Sequence, residues 1–243
     1  MNDHTESHTV RAYDEELEQL RLLVLDMGKL VVDQIALARR ALKERDDEIA
    51  RTVVTREAEV NKMDTDGEEM AFRIIAKRQP IASDLRAVLA MIKTITDLER
   101  CGDEAKKVAK TARRLIVDEV EPVPQFSRAI DRMVALAGKL LNDVLEALQD
   151  LDPAKAIHVA TEDRRLNWEY KQGLRMVHET LIEDASSIEH AAEVVIVLKA
   201  LERIGDHAKN IAKYVVYIVE GRDVRHVKTK KLAKELGAGG GED

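Results

Sequence analysis

The sequence predicts an all-α protein: six long antiparallel helices forming two tandem, sequence-related three-helix bundles. Three observations carry that prediction. The chain has only one Trp, four Tyr and two Phe in 243 residues, yet 45% of it is apolar and 35% charged. An aliphatic, charge-rich composition of this kind suits long amphipathic helices and disfavours β-rich folds. Apolar residues also recur at i, i+3 and i+4 over stretches far longer than a strand, and the four prolines fall between those stretches.

The elements follow in order. Leu20, Leu23, Val24, Met27, Leu30, Val31, Gln34, Ile35 and Ala38 place one stripe on a first helix over 13–44. Residues 1–12 are polar and read as a flexible tail. Asp46-Asp47 forms a capping turn for a second helix that runs to about Arg78. Pro80 fits an early helical position, where its missing N–H costs nothing, and so opens a third helix ending near Val117. Pro122 and Pro124 place a break over 119–125. The pattern then restarts, with a fourth helix over 126–149 and a turn at Asp150-Leu151-Asp152-Pro153. A fifth helix covers about 154–182, and a sixth starts at Ser186-Ser187 and ends at Glu220, with Gly221 as its cap. The first bundle thus spans 13–121 and the second 122–221, while 222–243, ending in a glycine-rich run, reads as a flexible C-terminal tail. Helices this long with short turns must lie antiparallel.

The two halves repeat each other. Residues 98–110 align with 201–213 at an offset of 103, with nine of the thirteen positions identical. Asp46 pairs with Asp152, and Val60-Asn61 with Leu166-Asn167, at a similar offset. On the third helix Leu98, Cys101, Ala105, Val108, Ala112 and Leu115 face inward; on the sixth, Val197, Leu201, Ile204, Ala208, Ile211 and Val215 do so. Cys101 therefore stands at a core position and reads as a small buried hydrophobe. Gly102 and Gly205 each cost about 1 kcal/mol in a helix interior, so their repetition implies a close approach, most simply by a neighbouring helix. His207 reads as a helix-surface residue, and Trp168 and Tyr170 as packing of the fifth helix.

Beside each core stripe lies a ladder of carboxylates one turn apart, Glu99/Asp103 and Glu202/Asp206. Like charges at i, i+4 repel by a few tenths of a kcal/mol (~0.3) and need compensation. Cations such as Arg100, Lys106, Arg203 and Lys209 would suffice; a hard metal ion is the alternative, since oxygen ligands on one face suit Mg²⁺, Ca²⁺, Mn²⁺ or iron. Asn210 extends the second ladder, whereas Lys107 stands at that place in the first and would repel a cation. The second copy is therefore the better candidate.

Other chemistries are disfavoured. A net charge of −7 argues against a nucleic-acid binder. A single cysteine allows no internal disulfide and fits a reducing cytosol, and neither a signal peptide nor an apolar run of about 20 residues is seen. No histidine has a glutamate three residues before it, as a ferritin-like centre requires. Glycine-rich phosphate loops and local nucleophile motifs are absent too, so no enzyme is expected.

Three segments together resemble the PhoU family of phosphate-transport accessory proteins: Gln79-Pro80-Ile81-Ala82-Ser83-Asp84-Leu85-Arg86, Asp97-Leu98-Glu99-Arg100 with Gly102-Asp103, and 201–212. The resemblance covers the chain from Tyr13 to Gly221. It implies the same two bundles that periodicity predicts, and a cytoplasmic regulator that negatively modulates phosphate uptake and the phosphate-starvation response. Its implied partners are the ATPase subunit of the phosphate ABC transporter and the sensor histidine kinase of the phosphate regulon, with membrane contact only through them. It also implies a homodimer. No cofactor is required, but some family members carry iron or zinc clusters on the repeated carboxylates, here Glu99, Asp103, Glu202, Asp206 and Asn210. A metal-binding helical protein (iron, zinc, magnesium or manganese) is the alternative function. An acidic helical surface is a poor direct receptor for phosphate, so phosphate status is expected to arrive through partners or through a bridging metal.

Overall fold

In the computed structural model, residues 3–224, 227 and 229–235 are described, the side chains of 3–11, 229, 230 and 233 being left aside. Six long helices appear: α1 Asp3–Glu44, α2 Asp47–Arg78, α3 Ala82–Val117, α4 Pro124–Asp150, α5 Pro153–Glu183 and α6 Ile188–Glu220. A short helix, α7 Thr229–Glu235, follows. Caps repeat along with the sequence. Asp46 accepts from the N–H groups of Glu48 and Ile49 at the start of α2, and Asp152 accepts from Ala154 and Lys155 at the start of α5. Each cap satisfies donors that the first helical turn leaves unpaired. Gly221 closes α6 in the left-handed conformation at φ 67°.

Four boundaries differ from the sequence reading. Helix α1 begins at Asp3, so residues 3–12 are its first turns and not a tail. Pro80 ends α2 instead of opening α3: Gln79 adopts the left-handed C-cap, with its N–H on the Ile75 carbonyl at 3.0 Å, and Ile81 is the N-cap of α3. Proline is as much at home just beyond a C-cap as at a first turn. The break over 119–125 is shorter than expected, because Pro124 itself occupies the opening position of α4. The described residues between Arg222 and Glu235 are not loose. Val224 and Leu232 are buried, α7 packs on α5, and Arg222 pairs with Glu235 at 2.7 Å. The glycine-rich run from Gly237 onward lies outside the described residues.

Each bundle is built as predicted, α1–α2–α3 and α4–α5–α6. The inward stripes named above are buried throughout on α3 and α6, and α1 buries all but Leu23 and Leu30 of its stripe, which are partly covered. Between the bundles, α3 lies along α6 and α1 along α4, so these four helices form a central ring. Helix α2 fills the outer groove of α1 and α3, and α5 that of α4 and α6. Buried apolar residues form one continuous core across both halves.

Candidate metal centre and bundle interface

The glycines that repeat in sequence mark the place where an outer helix comes closest to α3 or α6. A Cβ on Gly102 would sit 3.2 Å from Val60 Cγ1 of α2, and one on Gly205 would collide with Leu166 Cδ2 of α5. Val60 and Leu166 are themselves the repeat pair noted above. Close approach of a neighbouring helix therefore accounts for both glycines.

That approach brings a third carboxylate to the first ladder. Glu57 of α2, buried, joins Glu99 and Asp103 of α3, with one ligand oxygen from each within 4.8 Å of the others. The site is partly compensated from within. Lys106 pairs with Glu57 and lies 3.7 Å from Asp103, and Arg100 lies 3.4 Å from Glu99. Burial and then the Asp103 charge raise the Glu99 pKa above the ordinary carboxylate value. Burial also opposes ionisation of Glu57, but the Lys106 ammonium outweighs it and holds that carboxyl below the usual range. The repulsion expected of Lys107 is deflected: its ammonium lies 2.7 Å from Glu104, whose other oxygen takes Arg203 at 2.8 Å.

The second half builds the matching pocket differently. Asp163 of α5 stands where Glu57 stands, at an offset of 106, and is almost fully buried. Lys209, the repeat partner of Lys106, binds it at 2.7 Å, and Asn167 donates at 3.0 Å. Its other oxygen, Oδ1, has no hydrogen-bond partner and faces Gly205. Glu202, also buried, is held by Lys199 at 2.6 Å. Asp206 is exposed to solvent on one side, yet desolvation by the residues around it raises its pKa, and the nearby Glu202 and Asp163 charges add to that. Among the described residues, three carboxylates converge within 4.8 Å only in the first half.

Asn210 does not extend the second ladder. Its amide donates to Asp97 Oδ1 of α3 at 3.3 Å, across the bundle interface. His207 is likewise not a surface residue, since its Nδ1 lies 2.6 Å from the same Asp97 oxygen. Arg203, His207 and Asn210 recur at i, i+4 and i+7 and so share the face of α6 that meets α3. Cys101, fully buried, places its Sγ 4.0 Å from the carbonyl of Ile204, its own repeat partner, and burial raises its pKa well above the ordinary thiol value. Sequence reasoning missed Glu57, Asp163 and Asp97. A signal existed for the first two: both are acidic, and both stand three residues ahead of the Val60/Leu166 repeat pair.

The chain is thus a duplicated three-helix bundle with carboxylates gathered under each outer helix. The PhoU domain matches twice, over residues 24–112 and 130–215. The chain belongs to the PhoU family. It is 37% identical over 235 residues to the phosphate-specific transport system accessory protein PhoU of Serratia marcescens, covering 97% of this chain and 96% of that one. The protein of the same name from Escherichia coli K12 is 35% identical, with 94% of each chain covered. Among solved structures, PhoU from Pseudomonas aeruginosa superimposes with a TM-score of 0.83 at 38% identity, covering 86% of this chain and all of that one. The phosphate transport system regulatory protein PhoU from Streptococcus pneumoniae gives 0.79 at 28%, covering 87% and 99%. No helix among the described residues is long and apolar enough to cross a membrane.

Proposed function

We propose that this protein is a cytoplasmic regulator of phosphate homeostasis that restrains phosphate uptake and the phosphate-starvation response. It does so by docking on the ATPase subunit of the phosphate transporter and on a sensor histidine kinase. The observation that carries this reading is the correspondence, over nearly the whole length of both chains, with relatives named as accessory proteins of phosphate-specific transport. Regulation of this kind needs no chemistry on the regulator. Tighter binding to one state of a transporter or kinase shifts that partner's population by the difference in affinity. A rigid body with one continuous core suits the role, since it presents fixed surfaces that select a partner's conformation. Purified protein immobilised on a sensor surface should capture both the ATPase subunit and the cytoplasmic part of the kinase. Failure to bind either would sink the proposal.

A metal-dependent reading is favoured by one specific observation, the convergence of Glu57, Glu99 and Asp103. An all-oxygen set fits a hard divalent cation or iron, which would relieve the charge crowding at Glu99. Lys106 already supplies part of that relief, so the metal must displace its ammonium from Asp103 or share the site with it. The test is a melting curve with and without Mn²⁺. Wild type should gain several degrees at millimolar metal, about 4–8 °C per kcal/mol for a small domain and less for a chain this long. Glu99→Gln should lose most of that gain. Equal gains in both proteins would remove the metal from this site.

A further inference from the structure

At one end of the central ring the helices part to leave a cleft of about 110 Å³. Its walls come from all four central helices, so both repeats contribute. The floor is apolar, formed by Leu42 of α1, Leu115 of α3, Ile130 of α4 and Val197 of α6. Its volume is close to that of a cavity of roughly 150 Å³ that accepts benzene, and well short of the roughly 300 Å³ or more of a drug-sized site. The body it can hold is therefore one ring or a short branched chain.

The rim is positive within a chain of net charge −7. Arg39, Lys43 and Arg45 line the cleft with Asp131 as the only lining carboxylate, and Asp131 is taken by Arg39 at 2.8 Å. Arg45 donates to the carbonyls of Val120 at 2.7 Å and Leu115 at 3.3 Å. Those bonds take two of its five N–H donors and fix its place, and no carboxylate pairs with it among the described ion pairs. Lys43 makes no ion pair among the described residues. His190 adds no positive charge at neutral pH, because burial lowers its pKa, and its Nδ1 accepts the N–H of Val123 at 3.3 Å. Two cations without a carboxylate partner among the described ion pairs thus sit above an apolar floor.

We propose that this inter-bundle cleft binds a small organic anion, with its apolar body between α1, α3, α4 and α6 and its anionic head at Lys43 and Arg45. A ligand there touches both repeats at once, so its binding energy favours the packed arrangement of the two bundles.

Phenyl phosphate is the probe, titrated by calorimetry into the full chain beside inorganic phosphate and phenol. Phenyl phosphate should bind at about millimolar Kd or tighter, at least about ten-fold better than either fragment, since each fragment meets only half of the site. Lys43→Glu should weaken it by about ten-fold or more through charge reversal at the rim. Ser127→Trp, at an exposed lining position, should block the cleft while leaving the core intact, as a wild-type helical melting curve would verify. No binding by about 10 mM, inorganic phosphate binding as well as phenyl phosphate, or unchanged affinity in both variants would each overturn the proposal.

Discussion

Replacing Lys209 by methionine should destabilise the protein by about 3–5 kcal/mol, the cost of leaving a buried charge without its partner. Lys209 is the only cation paired with Asp163 among the described ion pairs, and Asp163 is 1% exposed. Methionine keeps the unbranched apolar stem and its packing and lacks only the terminal ammonium, so the loss isolates that group. One Asp163 oxygen already lacks a donor, and Asn167 supplies only a neutral bond to the other. The reverse change, Asp163→Asn, should cost less, about 1–2 kcal/mol. Lys209 keeps 27% of its side chain exposed and can turn to water, and the isosteric amide still fits beside Gly205. Urea denaturation of the two variants measures the asymmetry. Comparable losses would mean that the pair, and not a stranded carboxylate, sets the stability of the α5–α6 groove.

Gly28→Val should cost about 2–3 kcal/mol, whereas Gly138→Ala should stabilise by about 1 kcal/mol. Both glycines lie inside helices, where a Cβ is favoured on propensity alone. At Gly28 of α1, however, a Cβ would stand 2.7 Å from Leu145 Cδ1 of α4 and nearer still to Cδ2. Leu145 is buried, and a β-branched valine has no rotamer that withdraws both methyls. Leu145 must then leave its rotamer or the α1–α4 contact joining the two bundles must open. Nothing lies within 4 Å of a Cβ built at Gly138, so alanine there brings only the gain in backbone entropy. Melting temperatures that move in opposite directions check both claims, and a neutral Gly28→Val would show that α1 and α4 yield easily.

Much of this architecture was legible because long helices announce themselves. The period of apolar residues found all six, and the inward stripes of α3 and α6 are buried as expected. Asp46 and Asp152 could be read as caps because the cap is a local bond, complete within three residues. Pro80 was misplaced because proline suits both sides of a helix boundary, and only the left-handed Gln79 decides between them. The site was half legible. Glu99 with Asp103 and Glu202 with Asp206 are neighbours along one helix, so spacing alone reveals them. Glu57 comes from α2, and Asp97 meets His207 across the bundles. Such partnerships are set by helix rotation and crossing, which a period of 3.6 residues leaves undetermined. Asn210 shows the same limit, since the face it shares with Asp206 also borders α3.

The meeting of Cys101 with Ile204 has a consequence for the history of the chain. When a position touches its own counterpart 103 residues on, the contact is that of a two-fold symmetric pair. The two bundles sit as subunits of a homodimer would, joined into one polypeptide. In such a dimer every contact occurs twice, and each surface must suit itself. Fusion lifts that condition. The mate of Asp97–His207 would be Ala200–Glu104, yet Ala200 carries no charge and Glu104 pairs instead with Arg203. The seam between the halves is thus no longer two-fold symmetric, since the Asp97–His207 contact occurs on one side of it without a mate on the other. A partner that approaches along it meets two different sides where the ancestral pair offered the same side twice.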